Sequence, residues 1–343
     1  MKCISIGFPV LFLSVVMVTG INAQQITLVD KSGEKKIEVL VDGKLFTAYI
    51  FPETIMKPVL WPLISPGGNT LTRNYPLKKK AGERVDHPHH VGIWLNYGNV
   101  NGLDFWNNSE AIPEGKRGEF GTILHKSVEK LESGAGKATL AVKAVWVNSR
   151  GDALLDEETT FVFSVKGNVR IIDRETKLTA LTDVLFEDNK EGMFGMRVAR
   201  ELELPEGKPL KLTDSHGTIT KVSTSGSSEA TGNYLSSEGV EGAGVWGTRA
   251  RWMELYGKVN GEDVAIVIAG HPGNVGYPTY WHARGYGLFA ANPLGQKIFS
   301  KGKKELNFKL KKGESTTFNY RVMVFSGTPT VEEVNKLVAE YTR

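Results

Sequence analysis

Three of the seven histidines in the sequence fall within four positions of the segment DHPHHVGIWLNYGNVNGLDFW, residues 86–106. His87, His89 and His90 surround Pro88, which fixes its own φ and lacks a backbone donor, so a stiff bend or edge position is predicted. In an extended backbone, His87 and His89 would point to one face and His90 to the other. Histidines held in this way could bind a metal, transfer a proton near neutral pH or donate to a sugar hydroxyl.

These chemistries differ in what they require of the neighbouring sequence. His87 and His89 are the candidate ligands for a divalent metal, but no carboxylate or histidine spacing nearby matches a zinc signature. Acid–base chemistry requires no cofactor and is the preferred interpretation. The alternative is that one or two of the histidines satisfy backbone groups in a buried turn.

Aromatic and amide side chains follow the histidines in the same segment. Flat rings offer faces on which a sugar can stack, and amides or carboxylates bind hydroxyls. Trp94 is therefore a candidate stacking platform, and Asn96 and Asp104 are candidate substrate-binding residues. The alternative for Trp94 is a place in the hydrophobic core.

A second segment of unusual composition, GHPGNVGYPTYWHARGYGLFAANPLG, spans residues 270–295 and contains two more histidines. Its glycines and prolines predict an irregular, ordered loop, and such loops often carry sites on rigid β scaffolds. His282 is a candidate acid or base, and Arg284 is a candidate substrate-orienting group. The other candidate substrate-binding residues of this segment are His271, Trp281, Tyr286 and Asn292.

Two further charged residues belong to the predicted site. Glu191 precedes a Gly-Met-Phe-Gly sequence that predicts a flexible turn, and its carboxylate could pair with a histidine in acid–base chemistry. The alternative is a solvated Glu–Arg ion pair. Arg73 lies between glycines and prolines in LWPLISPGGNTLTRNYPL, residues 60–77, where it could orient a polar substrate or have a structural role.

The N-terminus predicts export. Lys2 is followed by an apolar run from Ile6 to Val18 and by small residues before Gln24, which is the pattern of a secretory signal peptide cleaved after Ala23. The apolar run is shorter than the roughly 20 residues that a membrane-spanning helix requires. We therefore expect a soluble periplasmic or secreted protein without membrane insertion.

Composition excludes several classes of function. Cys3 is the only cysteine, and it lies in the predicted leader, so the mature chain can contain no thiolate metal site, cysteine nucleophile or disulfide. The full chain has 42 basic and 38 acidic residues, a balance that predicts no nucleic-acid partner. No pattern indicates the oligomeric state.

Most of the elements that must position these residues are predicted to be β-strands. Asp42-Gly43 separates two β-rich runs and predicts a hairpin with a type I′ turn. Further hairpins are predicted at Asn260-Gly261 and Lys312-Gly313. Three more runs follow one another between residues 137 and 180. Alternate residues of the first run form one apolar face: Ala138, Leu140, Val142, Ala144 and Trp146.

The C-terminus has the pattern of a helix. Thr330 and Glu333 form a capping-box pair, and Val331, Val334 and Val338 follow at helical spacing. With this many antiparallel strands, two stacked sheets are the economical architecture. The predicted fold is therefore mainly β, a large antiparallel two-sheet sandwich with a C-terminal helix, in a single domain over residues 24–343.

The segments 86–106, KEGMFGMRVA (190–199) and 270–295 resemble the signatures of the family labelled "methane oxygenase PmoA", a domain of unknown function common in Bacteroidetes and Planctomycetes. The resemblance extends from about residue 27 to residue 325. The label implies a copper membrane enzyme, which a chain without predicted spanning helices contradicts. Where the family pattern usually has an arginine this chain has Val91, which could alter specificity.

Proteins of this family often accompany sugar oxidoreductases and glycan-degrading enzymes, so the resemblance implies carbohydrate metabolism. By analogy with other long two-sheet proteins that act on sugars, the fold is expected to resemble the galactose mutarotase-like supersandwich. A 3-keto sugar would be a suitable substrate, because a single base near the ring could drive elimination across the glycosidic bond.

We therefore predict an exported carbohydrate-active enzyme that cleaves or isomerises a glycoside or keto-sugar by histidine–carboxylate chemistry. His90 or His282, with His89 nearby, would act as acid or base, and Glu191 would be the partner carboxylate. No cofactor is required, and a divalent metal polarising a keto oxygen is the variant. The alternatives are a non-catalytic glycan-binding protein and a mutarotase or epimerase of free sugars. The predicted substrate-binding residues are His87, Trp94, Asn96, Asp104, Arg73, His271, Trp281, Arg284, Tyr286 and Asn292.

Overall fold

A computed structural model describes Cys3 and residues 23–205, 209–213, 218–222 and 230–343. The predicted signal peptide, residues 1–23, lies outside the described residues except for Cys3 and Ala23. Export therefore stays a prediction of the sequence.

The described residues form 22 strands, two α-helices and five 3-10 turns. The strands are β1 (Gln25–Lys31), β2 (Lys36–Val41), β3 (Lys44–Ile50), β4 (Val59–Leu60), β5 (Ile93–Tyr97), β6 (Thr122–Glu132), β7 (Gly134–Ala135), β8 (Lys137–Val147), β9 (Ala153–Lys166), β10 (Val169–Ala180), β11 (Val184–Phe186), β12 (Gly192–Arg197), β13 (Leu210–Thr213), β14 (Ile219–Val222), β15 (Asn233–Ser236), β16 (Arg249–Ala250), β17 (Trp252–Val259), β18 (Glu262–Gly270), β19 (Thr279–Trp281), β20 (Leu288–Asn292), β21 (Phe308–Leu310) and β22 (Ser315–Ser326). The helices are α1 (Gln296–Phe299) and α2 (Val331–Tyr341), and the 3-10 turns are Ser32–Glu34, Glu53–Ile55, Glu114–Glu119, Arg200–Leu202 and Gly242–Val245.

Two large sheets contain most of these strands, as the sequence predicts. The ten-stranded sheet has the order β16-β19-β20-β12-β5-β4-β3-β2-β1-β7, and the eight-stranded sheet has the order β15-β17-β18-β22-β10-β9-β8-β6. The strand pairs are antiparallel. The prediction of a mainly β protein with large antiparallel sheets and a C-terminal helix is confirmed.

The main hydrophobic core lies between the two sheets. Phe46 of β3 meets Phe163 of β9 edge to face at 6.4 Å, and Phe194 of β12 stacks on Tyr320 of β22 at 4.6 Å. The apolar face predicted for β8 is confirmed, because all five of its residues belong to this core. Each sheet therefore buries one face and keeps a second face for other contacts.

The second face of the eight-stranded sheet is covered by α2. The capping box of Thr330 and Glu333 is present, and Val334 and Val338 pack on the sheet while Val331 is 47% exposed. No helix among the described residues is long and apolar enough to cross a membrane.

Two of the three predicted hairpins are confirmed. Asp42-Gly43 joins β2 to β3 and Asn260-Gly261 joins β17 to β18, with positive φ at all four residues. The pair predicted around Lys312-Gly313 is wrong, because β21 pairs with β11 and not with β22.

Two predicted irregular segments contain strands of the ten-stranded sheet. The segment 270–295 includes β19 and β20, and the predicted turn after Glu191 is β12, which lies between β20 and β5. Gly195 explains the error, because a Cβ on it would lie 2.8 Å from the Trp94 ring and 3.0 Å from the Trp106 ring. The glycine makes room for two rings on a strand and does not mark a turn.

Candidate functional site

The histidine segment is a tight turn rather than an extended strand. His87 has a φ of 43°, and the His90 amide donates to the His87 carbonyl at 3.0 Å. The two rings then stack with centroids 4.9 Å apart and planes 6° from parallel. The prediction that His87 and His90 point to opposite faces is therefore wrong, because it assumed an extended backbone.

Arg73 holds this turn in place. Its guanidinium, 1% exposed, donates to the carbonyls of Asp86 at 2.7 Å, His87 at 2.8 Å and His90 at 3.1 Å. The predicted contact of Arg73 with substrate does not fit this geometry, because its donors are directed at the backbone of the turn. Arg73 positions the histidines instead.

Asp86 connects the turn to β12. Its Oδ1 accepts from Arg73 at 2.8 Å and from Arg197 at 2.6 Å, and its Oδ2 lies 3.3 Å from His87 Nδ1. Burial opposes ionisation, but the contact with His87 and the charges of Arg197 and Arg73 hold the pKa of Asp86 well below its usual range. His87 keeps 39% of its side chain exposed, so this is a carboxylate–imidazole pair that a ligand can reach.

His90 is enclosed by donors and rings. Trp106 Nε1 lies 3.2 Å from His90 Nε2, and Arg197 Nη1 lies 3.2 Å from His90 Nδ1. Both neighbours can only donate, so either neutral tautomer satisfies one contact and protonation would satisfy neither. Burial, with the nearby His89 and Arg197, holds the pKa of His90 well below its usual range. The predicted acid–base role of His90 does not fit this environment.

A ladder of near-parallel rings joins the two unusual sequence segments. Trp94 lies under His90 at 5.3 Å, and His87 is parallel to Tyr286 at 5.0 Å. Arg197 places its guanidinium 4.9 Å from the centre of the Tyr286 ring. The segments 86–106 and 270–295 therefore meet, although nearly two hundred residues separate them in sequence.

A second carboxylate–histidine pair lies at the ends of β12 and β19. His282 Nε2 is 3.5 Å from Glu191 Oε2, and Trp246 Nε1 donates to His282 Nδ1 at 2.9 Å. Because Nδ1 accepts, the neutral ring carries its proton on Nε2, facing Glu191. Burial and the charges of Lys190 and Arg284 lower the pKa of His282 to about 3. The predicted partnership of Glu191 with a histidine therefore has a matching geometry.

Asn292 positions Glu191 and offers no polar atom to a ligand. Its amide donates to the carbonyls of Asn189 at 2.8 Å and Lys190 at 2.9 Å, and its oxygen accepts from Leu294 and Gly295. These four bonds fix the backbone that carries Glu191. The substrate contact predicted for Asn292 is replaced by this structural role.

Asn96 and Asp104 fix the backbone that carries Trp106. Asn96 Nδ2 donates to the Phe105 carbonyl at 2.7 Å. Asp104 Oδ1 accepts the amides of Trp106 at 2.8 Å and Asn107 at 2.9 Å. The carboxylate of Asp104 therefore serves the turn and not a ligand, whereas Asn96 Oδ1 is buried without a partner.

Two predicted site residues lie elsewhere in the molecule. Trp281 is completely buried in the core between the sheets, where its Nε1 donates to the Ala250 carbonyl at 3.1 Å. His271 accepts the Gly273 amide at 3.0 Å and packs against Tyr341 of α2 at 5.4 Å. Neither position suits the predicted ligand contact, because Trp281 exposes no ring face and His271 lies beside α2.

Two half-buried rings lie beside the carboxylate–histidine pairs. Tyr286 and Trp246 are half-buried, and the exposed Arg284 lies 5.4 Å from the Trp246 ring centre. Trp94, the predicted stacking platform, is completely buried beneath His90. A cleft of about 350 Å³ lies beside Tyr286 and Arg284 and is lined by Leu204, Pro205, Ala243, Ala283, Arg284, Gly285 and Tyr286.

The histidines do not converge as metal ligands. His87 and His89, the predicted candidates, have ring planes 80° apart with centroids at 5.6 Å, and His87 directs Nδ1 at Asp86. In the described part of the chain, no three His, Cys, Asp or Glu side chains are grouped so that they could hold a metal ion. The copper that the methane oxygenase label implies has no matching ligand set among those residues.

Sequence reasoning missed four contributors to the site. Asp86 stands directly before the first histidine, and the carboxylate–His spacing was the available signal. Arg197 follows Gly195 by two residues, which places both on one face of a strand once β12 is assigned correctly. Trp246, which donates to His282, and Lys57, whose ammonium donates to the His89 carbonyl, had no signal in the sequence. Tertiary packing alone brings them to the histidines.

The sequence matches the model of a family of unknown function, DUF6807, over residues 36–339. The chain belongs to this family. The family description names no activity and does not carry the methane oxygenase label. No curated protein matches the sequence.

Several solved structures have a similar arrangement of strands at low identity. A galactose mutarotase-like protein from Clostridium acetobutylicum is 11% identical, with 89% of this chain and 99% of that chain covered and a TM-score of 0.36. Galactose 1-epimerase from Lactobacillus acidophilus is 8% identical, with 90% and 100% covered and a TM-score of 0.37. The GH36 α-galactosidase AgaB from Geobacillus stearothermophilus is 12% identical, with 88% of this chain but only 41% of that enzyme covered and a TM-score of 0.40.

Proposed function

We propose that the protein binds a carbohydrate on the outer face of the ten-stranded sheet and acts on it by proton transfer. The observation that carries the proposal is the presence of two carboxylate–imidazole pairs near Tyr286. His87 of the first pair stacks on the Tyr286 ring at 5.0 Å, and His282 of the second pair lies four residues before Tyr286 on the same connection between β19 and β20. We infer that one ligand can contact both pairs.

His87 is the proposed general base. Its Nδ1 lies 3.3 Å from Asp86 Oδ2, and its Nε2 is the nitrogen that would accept a proton from a ligand. Asp86 orients the ring and stabilises the imidazolium that forms, while Arg73 and Arg197 keep Asp86 itself fixed. The proposed base is therefore His87 and not His90, because donors from the protein face both ring nitrogens of His90.

Glu191 is the proposed partner carboxylate. Its Oε2 faces the Nε2 proton of His282, and its Oε1 contacts Lys190. His282 stays neutral and acts as a fixed donor. Glu191 can then accept a hydroxyl proton or orient the sugar ring on the side opposite His87.

A hydroxyl-rich ring suits the walls of the site. Tyr286 and Trp246 supply half-exposed aromatic faces, and Arg284 supplies a flexible donor at the rim. Elimination from a 3-keto glycoside needs one base of this kind: removal of the C2 proton forms the C1–C2 double bond and breaks the C1–O bond. The departing alkoxide takes up one proton, so the step is balanced without a cofactor.

The site of action proposed for this chemistry is outside the cytoplasm. This part of the proposal is supported by the leader pattern of residues 1–23 alone. Mass spectrometry of protein from the periplasmic fraction should find a mature N-terminus at Gln24. Recovery of the intact leader in the cytoplasmic fraction would contradict export.

One observation favours a non-catalytic glycan-binding protein. His89, His90 and His282 are all buried as neutral rings, which is also what a rigid binding face requires. A binding protein would tolerate loss of the remaining histidine, His87, with little change in affinity. An enzyme would lose turnover and keep binding.

An NMR time course separates these functions. The mature protein is incubated with a panel of glycosides and their 3-keto derivatives, with and without a chelator, and compared with His87→Gln and the matched control His271→Gln. We expect aglycone release, a loss of about 100- to 10,000-fold in His87→Gln and no loss in His271→Gln. A new anomer or epimer without aglycone would indicate a mutarotase or epimerase.

Other outcomes would change the proposal in defined ways. Loss of turnover with chelator would establish a metal requirement that the described histidines do not explain. Line broadening of a sugar without turnover, equal in wild type and His87→Gln, would indicate a glycan-binding protein and not an enzyme.

A further inference from the structure

Lys57 is a buried cation that the proposed chemistry does not use. It is 2% exposed, its ammonium donates to the His89 carbonyl at 2.8 Å, and it lies 5.6 Å from the centre of the Trp94 ring. Asp104, whose charge opposes the effect of burial on Lys57, already accepts bonds from Trp106 and Asn107. The Lys57 ammonium therefore has a neutral carbonyl, and not a carboxylate, as its hydrogen-bond acceptor.

Three buried polar atoms of the histidine turn and of β5 have no partner. They are His89 Nε2, Trp94 Nε1 and Asn96 Oδ1. Trp94 and Asn96 are two residues apart on β5, about 7 Å, and share its outer face. The His89 ring is 4.3 Å from the His90 ring, which stacks on Trp94. Such a concentration of unpaired donors and acceptors is costly unless a polar group fills the space between them.

A cleft of about 540 Å³ has Lys57 among its lining residues. The cleft is formed by residues 51–53, 56–58 and 122–126 together with Lys35. The exposed ammonium groups of Lys35 and Lys126 lie at its rim, against the single carboxylate of Glu53. The approach to Lys57 is therefore positively charged.

We propose that Lys57, Trp94 and Asn96 form a subsite for the carboxylate of an acidic sugar. The ammonium of Lys57 and the indole N–H of Trp94 would donate to the carboxylate, and Asn96 Oδ1 would accept from a neighbouring hydroxyl. The inference rests on the proposed function and narrows its substrate class to uronic-acid sugars. It requires no part of the His87 chemistry, so the two can fail separately.

The protonation of Lys57 provides a readout in the unmodified protein. Burial lowers the pKa of Lys57 to about 7, although Asp104 opposes this. A bound carboxylate would favour the ammonium form and raise the pKa, so binding at pH 8 should take up a proton. His89, the other titratable neighbour, stays neutral there because burial and the Lys57 charge lower its pKa to about 2.

The experiment is isothermal titration calorimetry with three probes: methyl glucuronide, methyl glucoside and inorganic sulfate. Wild type is compared with Lys57→Met, which keeps the chain length, and with Lys126→Met, which removes the same charge at the rim of the same cleft. We expect glucuronide affinity to fall about 10- to 100-fold in Lys57→Met, as loss of one charge-assisted bond predicts, and less than about 3-fold in Lys126→Met.

Titrations of wild type at pH 8 in two buffers of different ionisation enthalpy decide the question even if Lys57→Met does not fold. Proton uptake with glucuronide and none with glucoside is expected. The proposal is overturned by equal affinity for glucuronide and glucoside, by no affinity for glucuronide, or by equal losses in Lys57→Met and Lys126→Met, which would place the anion in the exposed cleft. If sulfate binds as tightly as glucuronide, the site recognises a free anion and not the carboxylate of a sugar.

Discussion

The two carboxylate–histidine pairs on the ten-stranded sheet are built in opposite ways. In the first pair, Asp86 is fixed by two buried arginines, and His87 keeps 39% of its side chain exposed. In the second pair, His282 is fixed by Trp246 and is 4% exposed, while Glu191 is 16% exposed. One pair anchors its carboxylate and presents an imidazole, and the other anchors its imidazole and presents a carboxylate.

The difference shows how a protein group bound to one ring nitrogen of a histidine decides whether the other ring nitrogen can accept a proton. An acceptor such as Asp86 leaves the far nitrogen of His87 free to take a proton, whereas a donor such as Trp246 forces the proton of His282 to the far side. His90 is the extreme case, because donors face both of its nitrogens. Residue type alone therefore does not identify the base.

The largest expected effect is the response of stability to pH. Burial lowers the pKa of His89 to about 2 and of His282 to about 3, and holds that of His90 well below its usual range. Below about pH 6.5 the unfolded chain binds protons that the folded chain does not, so stability falls by about 4 kcal/mol per pH unit for three such groups. Urea unfolding at pH 7.5, 6.5 and 5.5 measures this slope.

The slope can be divided between the two regions. The histidine turn contributes two of the three groups and the Glu191 pair contributes one, so His282→Gln should reduce the slope by about one third. The lowered pKa of Asp86 acts in a different window, because its stabilisation is lost only as pH falls below about 4. An unchanged slope in His282→Gln would contradict a neutral buried His282.

The next largest effect separates the two carboxylates. Asp86→Asn removes the ion-pair partner of the buried Arg73 and Arg197, and we expect it to lower the free energy of unfolding by about 3 kcal/mol. Glu191→Gln still accepts from His282 and should cost about 0.5 kcal/mol. Chemical denaturation of both variants at pH 7.5 tests the comparison. Equal losses would mean that Asp86 is not the anchor of the turn.

A smaller effect on stability tests whether Gly195 of β12 is needed to accommodate the Trp94 and Trp106 rings. In Gly195→Ala the new methyl group would lie 2.8 Å from Trp94 and 3.0 Å from Trp106, so we expect a loss of about 1–3 kcal/mol from displaced rings. Gly118→Ala is the control, because nothing lies within 4 Å of its added Cβ. Thermal unfolding and tryptophan fluorescence report both variants. If Gly195→Ala leaves the free energy of unfolding unchanged, the Trp94 and Trp106 rings can shift without loss of stability.

Gly195 also shows how far the sequence can predict this molecule. Alternating apolar residues identify β8 and most strands, because one buried face imposes that period. The same logic fails at β12, where glycines fit the rings of Trp94 and Tyr97 and resemble a turn. Individual residue types indicate His87, Glu191 and His282 as candidates, but their partners depend on contacts between distant segments that no local pattern encodes.

The smallest expected effect on stability tests whether a donor bound to one ring nitrogen controls protonation of the histidine. Trp246→Phe removes the 2.9 Å bond to His282 Nδ1 and should cost about 1 kcal/mol of stability. Because Nδ1 can then take a proton while Nε2 keeps its own proton toward Glu191, the pKa of His282 should rise above its value of about 3, which NMR titration of the ring protons measures. Trp106→Phe is the matched variant, and there Arg197 still occupies the other nitrogen of His90. A rise for His282 without one for His90 would establish that one donor fixes a tautomer and two exclude protonation, whereas parallel shifts would make burial the cause in both regions.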